Sequence, residues 1–147
     1  MIRLIMLLIT FLLLSPSLTL ALDSSWLEDL EQAKIIAQQN NKHIFIDFSG
    51  SDWCHWCVKM EKEILNTPEF RQFAAENLVL VSVDFPKRKK QSAQQKQRNE
   101  ELARKYAVRG FPSVAILDSE GELVTMTGYR SGGATNYVEY LKQLLDQ

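Results

Sequence analysis

The chain is poor in the residues from which metal and nucleophile sites are usually built. Two of its 147 residues are cysteine and two are histidine. A zinc site would need all four, His43, Cys54, His55 and Cys57, and no second spaced pair is available to close a tetrahedral set. His43 also stands at the start of a strand-like run, away from the thiols. A net charge of −1, from 17 basic and 18 acidic residues, argues against nucleic acid as a partner. Internal repeats are absent, which excludes a solenoid, and nothing resembles a dimerisation segment, so a monomer is expected. The scarcity of cysteine focuses attention on the one place where it occurs.

Residues 53–57 read Trp53-Cys54-His55-Trp56-Cys57. The two thiols have only each other as partners. An apolar run, Ile44-Phe45-Ile46-Asp47-Phe48, and a polar turn precede them, and Val58 to Leu65 follows with helical composition and spacing. Strand, turn, CxxC and helix in that order is the setting in which the motif signals disulfide exchange. The nucleophile in that reaction is a thiolate, whereas a free thiol, with a pKa near 8.5, is mostly protonated at neutral pH. At the first turn of a helix, Cys54 would have its negative charge stabilised by unpaired N–H groups and the helix dipole. Cys54 is therefore expected to attack, and Cys57, one turn further in, to resolve the mixed disulfide. Between them, His55 and Trp56 tune the couple. Protonated His55 would favour the Cys54 thiolate, and Trp56 adds bulk without charge. Two readings compete besides zinc. One is a structural disulfide, a weak staple because so small a loop removes little unfolded-chain entropy. The other is a binding module on the same fold with inert thiols.

The first 21 residues look like a secretory signal peptide. Arg3 supplies a positive start, Leu4 to Leu14 is apolar apart from Thr10, Ser15-Pro16-Ser17 breaks the run, and Thr19 and Ala21 fit a cleavage site. The run is short against the roughly 20 residues of a spanning helix. It carries no twin arginine and no following cysteine for a lipid. Cleavage after Ala21 would leave residues 22–147 as one domain, with the net charge moving from −1 to −2 because Arg3 is the only charge removed. Export to the periplasm, or secretion through the Sec route, is the expected destination.

Along that domain, Ser25 to Glu28 fits a capping box opening a helix with Trp26, Leu30, Ala33 and Ala37 on one face. Asn40-Asn41 closes it. Ile44 to Phe48 is the first strand, Thr67-Pro68 a fresh helix start, and Leu78 to Asp84 the second strand. The basic run Lys87-Arg88-Lys89-Lys90 and the polar stretch Gln91 to Gln97 read as an exposed insertion before a helix over Glu100 to Tyr106. The run is either a solvated loop or a docking patch for an acidic partner or a membrane. Val114 to Leu117 and Glu122 to Thr127 form a hairpin, and Thr135 to Leu145 a final amphipathic helix. The whole is α/β: a mixed sheet with helices on both faces.

Three elements in order then resemble the thioredoxin superfamily: the strand ending Ile46-Asp47-Phe48, Trp53-Cys54-x-x-Cys57 opening a helix, and Val108-Arg109-Gly110-Phe111-Pro112-Ser113 before a hairpin. The longer string from Asp47 to Cys57 is similar to the secreted thioredoxin-like proteins, including the DsbH type of periplasmic oxidoreductase. The resemblance implies a thioredoxin fold and a thiol–disulfide oxidoreductase acting on disulfide-containing proteins or peptides without a cofactor. It implies a cis bond before Pro112, with Phe111 offering backbone groups to an extended substrate. Trp53 would shield the site, and Asp47 would be the buried acid that moves a proton to and from Cys57. The turn from Asp47 to Cys54 is one residue longer than in cytosolic thioredoxin. Trp56 stands where the family's strong oxidants and isomerases carry histidine, which favours a reductase over an oxidase or isomerase. A reductase outside the cytoplasm has to be recharged, so a membrane thiol carrier is the expected electron donor.

Overall fold

The computed structural model describes residues 25–146, and the expected signal peptide at 1–21 lies outside them. A four-stranded sheet in the order β2-β1-β3-β4 forms the middle layer. β1 (His43–Ser49) runs parallel to β2 (Leu78–Asp84) and antiparallel to β3 (Ser113–Leu117), and β4 (Leu123–Gly128) returns along β3 as the other arm of a hairpin. The near-continuous apolar run of β1 follows from this central position. Ile44, Phe45, Ile46 and Phe48 are fully buried because both faces of the strand are covered.

Strand alternation divides those residues between two cores. Phe45, with Leu80, Val114 and Ile116, meets α2 (His55–Met60), α3 (Pro68–Asn77) and α5 (Gly133–Leu145) through Met60, Phe70 and Leu141. Ile44, Ile46 and Phe48 pack on the other face against Leu30, Ala33 and Ala37 of α1 (Leu30–Asn40), with Tyr106 closing the end of α4 (Ala93–Lys105). Small residues on α1 let that helix approach the sheet closely. The expected α/β layering, hairpin and helix start at Thr67-Pro68 are all present, with Thr67 as N-cap of α3. The final helix begins two residues earlier than Thr135 and buries Val138 and Leu141, leaving Leu145 half-buried.

Three local expectations are corrected. Ser25 to Glu28 does not cap a helix. Leu27 instead bridges to Val81 at the outer edge of β2, donating to the Leu80 carbonyl at 2.9 Å and accepting from the Ser82 N–H at 2.8 Å. Trp26 packs edge-on against Phe45 from outside any helix, and the N-cap is Asp29, whose carboxylate accepts the N–H groups of Glu31 and Gln32. The edge hydrogen bonds of β2 hold Leu27 in an extended conformation, so the helix starts only after Asp29. The polar stretch before Glu100 is not an irregular insertion. Ser92 caps α4, and the buried Asn99 ties that helix to the Asp84 carbonyl at 2.8 Å, so a tertiary contact supports a segment with little apolar stripe. The CxxC helix, finally, passes into a π-helical segment, Glu61–Leu65, closed by the Asn66 N–H bonding five residues back to the Glu61 carbonyl at 2.8 Å. Ile64 and Leu65 are both buried there.

Urea unfolding of Asp29→Ala is expected to show a loss of about 1 kcal/mol, the usual cost of removing an N-cap side chain. Ser25→Ala should stay within about 0.5 kcal/mol of the parent, as an exposed position without a capping role does.

Candidate active site

β1 ends at Ser49, and the chain reverses over Gly50. The Gly50 carbonyl accepts the N–H groups of Trp53, at 3.1 Å, and of Cys54, at 2.8 Å. A glycine is required because a Cβ there would lie 2.5 Å from the Trp53 indole. This turn delivers Cys54 to the N-cap of α2 in an extended conformation, where its Sγ accepts the Cys57 N–H at 3.2 Å. Cys54 and Cys57 are joined as a disulfide with a Cα–Cα distance of 5.2 Å. Both are buried, Cys54 at 7% exposure and Cys57 at 4%, while His55 and Trp56 between them face solvent. His43 begins β1, about 20 Å of extended chain from the turn, and does not join this group.

Asp47 lies two positions beyond Phe45 on the same face of β1. Its carboxylate and Cys57 line a common cavity of about 340 Å³, with Ser49, Ser82, Asp84 and Glu61 also in the wall. The longer turn has not separated the acid from the inner cysteine. The residue keeps a little surface toward the cavity, but its Oδ1 is buried and has no hydrogen-bond partner among the described residues. Burial, reinforced by the negative charges of Glu61 and Asp84, pushes its pKa up to about 7. A carboxyl that titrates near neutrality beside a thiol can hold a proton or take one.

The bond between Phe111 and Pro112 is cis. Pro112 immediately precedes β3, and opposite it Gly128 leaves room for the Pro112 carbonyl, which a Cβ would meet at 2.9 Å. Phe111 stands edge-on to Trp53 with centroids 5.9 Å apart and packs on Phe85 at 5.1 Å. The Trp53 indole N–H donates to the Phe85 carbonyl at 2.8 Å. An aromatic chain thus joins the proline loop to the residue before Cys54. All the site residues expected from sequence, Asp47, Trp53, Cys54, His55, Trp56, Cys57, Phe111 and Pro112, belong to this one region.

Tyr129 and Asp52 were not anticipated as neighbours of the site. Tyr129 packs against exposed Trp56 at 5.5 Å and donates its hydroxyl to Glu63 at 2.8 Å. Lys59 lies over both rings and pairs with Glu63 at 3.9 Å. The pairing of Ser113 with Gly128 puts Tyr129 beside the proline loop, so a hairpin register would have identified it. Asp52 is the other omission. Its carboxylate accepts the backbone N–H groups of Lys87, Arg88 and Lys89 at 2.9, 2.7 and 2.9 Å, and those bonds hold its pKa down at about 2. An acid at the head of a turn, 35 residues from its partners, gives no local signal of such a role.

Among the described residues no helix is long and apolar enough to cross a membrane. A thioredoxin-like domain family model matches residues 30–145. The chain is 42% identical over 121 residues to the disulfide bond reductase DsbH of Chlamydia pneumoniae, covering 82% of this chain and 70% of that protein. A solved DsbH oxidoreductase superposes with a TM-score of 0.78 at 40% identity, covering 83% of this chain and 84% of the other. The thiol:disulfide interchange protein DsbD of Photorhabdus laumondii is 31% identical over 82% of this chain, a region that makes up 19% of DsbD. With a family match running almost from the first helix to the last, this chain belongs to the thioredoxin-like family.

Proposed function

We propose that this chain is an exported thiol–disulfide oxidoreductase that works as a reductase on disulfide-containing protein substrates. The observation that carries the reading is the Cys54–Cys57 bond at the head of α2, with the Asp47 carboxyl behind it and the cis Phe111–Pro112 loop joined to it through Trp53. In the dithiol form the Cys54 thiolate attacks a substrate disulfide, forming one mixed S–S bond and releasing one substrate sulfur as thiolate. Cys57 then gives its proton to the Asp47 carboxylate and attacks Cys54. That second step breaks the mixed bond, frees the other substrate sulfur, and leaves Cys54–Cys57 oxidised by the two electrons the substrate gained. Phe111 and Pro112 orient the substrate by backbone pairing with an extended segment, and exposed Trp56 and Tyr129 offer an apolar rim for its side chains. Export rests on the N-terminal segment. A membrane thiol carrier resets the dithiol, since a reductase outside the cytoplasm has to regain its two electrons after each turnover.

The two sulfurs are expected to behave differently in an insulin reduction assay. Cys54→Ser should reduce turnover to the uncatalysed background, and Cys57→Ala should accumulate a mixed disulfide through Cys54 that dithiothreitol releases. Trapping by Cys54→Ala and not by Cys57→Ala would reverse the assignment. Equilibration with a thiol redox buffer should give a potential nearer about −270 mV than about −120 mV, the values that distinguish thioredoxin from a strong oxidant.

Asp47 couples the site to stability. Its carboxyl, with an ordinary value of 3.8, titrates near 7 in the folded chain. Below pH 4 the group is protonated folded or unfolded and has no pH-dependent effect. Between about 4 and 7 the unfolded chain loses the proton while the folded chain keeps it, so stability falls as pH rises and levels off above 7. In the oxidised protein, Asp47→Asn should remove that fall, making the variant relatively more stable at pH 8 than at pH 4 by an amount on the order of 3–4 kcal/mol. The same variant should slow resolution of the mixed disulfide and lose the inflection near pH 7 in its rate profile. A merely structural acid would change the stability and leave that inflection in place.

A further inference from the structure

The reaction leaves one part of the rim without a task, the loop that follows β2. Lys87, Arg88, Lys89 and Lys90 occupy it in sequence, and Lys96 and Arg98 continue the series on α4. Six of the chain's 17 basic residues thus fall within twelve positions that contain no acid, in a protein whose net charge is −1. Such a run in a mobile loop would be a solvated tail. This one is held by its backbone. Asp52, two residues before Cys54, takes the N–H groups of Lys87, Arg88 and Lys89 on its two oxygens, and the Phe85 N–H donates to the Ser49 carbonyl at 2.8 Å.

The consequence for the side chains is specific. The Asp52 carboxylate binds the loop's main chain and its charge is felt by Arg88, but among the described residues none of the four cations is within ion-pair distance of an acid. The Lys87 ammonium rests 4.0 Å from the centroid of the Trp53 ring, and Lys89 donates to the Ser51 hydroxyl at 3.2 Å. Arg88 and Lys90 are exposed and extend the positive surface outward from the mouth of the dithiol. A preorganised surface whose cations outnumber the neighbouring acids Asp52, Asp84 and Glu28 needs little ordering to receive an anionic partner, and it raises the rate of encounter with one.

We propose that the pinned loop at Lys87–Lys90 is a docking surface for an acidic segment of the protein whose disulfide the dithiol reduces. The inference rests on the reductase reading and adds a substrate class to it. Position favours a polypeptide over a lipid surface. Lys87 lies on Trp53, the residue before Cys54, so a membrane seated on the loop would cover the mouth through which a protein disulfide must reach the sulfurs. An acidic segment flanking the target disulfide can engage the loop and the dithiol together.

The test uses two peptides, each with one internal disulfide, identical except for four flanking residues that are glutamate in one and lysine in the other. Reduced protein is mixed with each, and oxidation is followed by tryptophan fluorescence. At low ionic strength the glutamate peptide should react about tenfold faster, with the gap closing to within about twofold at 0.5 M salt as the charges are screened. The double variant Arg88→Gln/Lys90→Gln, whose altered side chains do not touch the dithiol, should cut the preference to about threefold or less. It should reduce the neutral 2-hydroxyethyl disulfide at the parental rate. Equal rates for the two peptides, or a preference that the double variant leaves intact, would overturn the proposal. Equal peptide rates together with binding to phosphatidylglycerol vesicles that the double variant loses would assign the loop to lipid instead. Failure of the parent protein to reduce the neutral disulfide would overturn the reductase reading itself, and this one with it.

Discussion

Two loops leave the C-terminal ends of the parallel strands β1 and β2 side by side, and the site depends on their being laced together. The Ser49 carbonyl takes the Phe85 N–H, Ser51 bonds through its N–H and hydroxyl to the Asp84 carboxylate at 2.8 and 2.6 Å, and the Trp53 indole reaches the Phe85 carbonyl. Asp52 closes the seam. With the turn held on that side, Cys54 arrives at the N-cap of α2 in one conformation. Adjacent parallel strands create such a meeting of loops at their carboxyl ends, which is where open α/β sheets place their sites.

Behind the sulfurs acids predominate. Asp47 lies near Glu61 and Asp84, whose negative charges add to its burial in raising its pKa, and Lys89 is the one cation in the wall of their cavity. Burying a carboxyl among other carboxyls keeps its proton on at a pH where an ordinary aspartate has lost it. That arrangement costs the folded chain stability and gives the inner sulfur a proton partner. In front of the sulfurs cations rest on aromatic rings. Lys59 lies over Trp56 and Tyr129, and Lys87 over Trp53.

Much of this was legible in the order of residues. The apolar run of β1, the CxxC pair, Thr67-Pro68 and the hairpin each carry a local signature, because strand burial, capping and turn chemistry act over a few residues. Two of the three corrections share one cause. Ser25 to Glu28 has the letters of a helix cap but pairs with the edge of β2. Residues 93–99 have little apolar stripe but form the first half of α4, tied down by Asn99. In both cases a partner distant in sequence outweighed local preference.

The sequence by itself determined the chemistry available: two cysteines one helical turn apart, with no other thiol to pair with, on a strand-turn-helix that can only present them at a helix head. Tertiary structure decided the rest. It put the Asp47 carboxyl in the same cavity as Cys57, joined Phe111 to Trp53, and turned a run of four cations from a loose tail into a fixed surface beside the dithiol. Each of those facts is an interaction between residues more than ten positions apart, or a field summed over several of them, except that of the acid with the inner thiol, which depends on which face of β1 is covered. Spacing along the chain records none of them, because distance in space is set by how the layers pack.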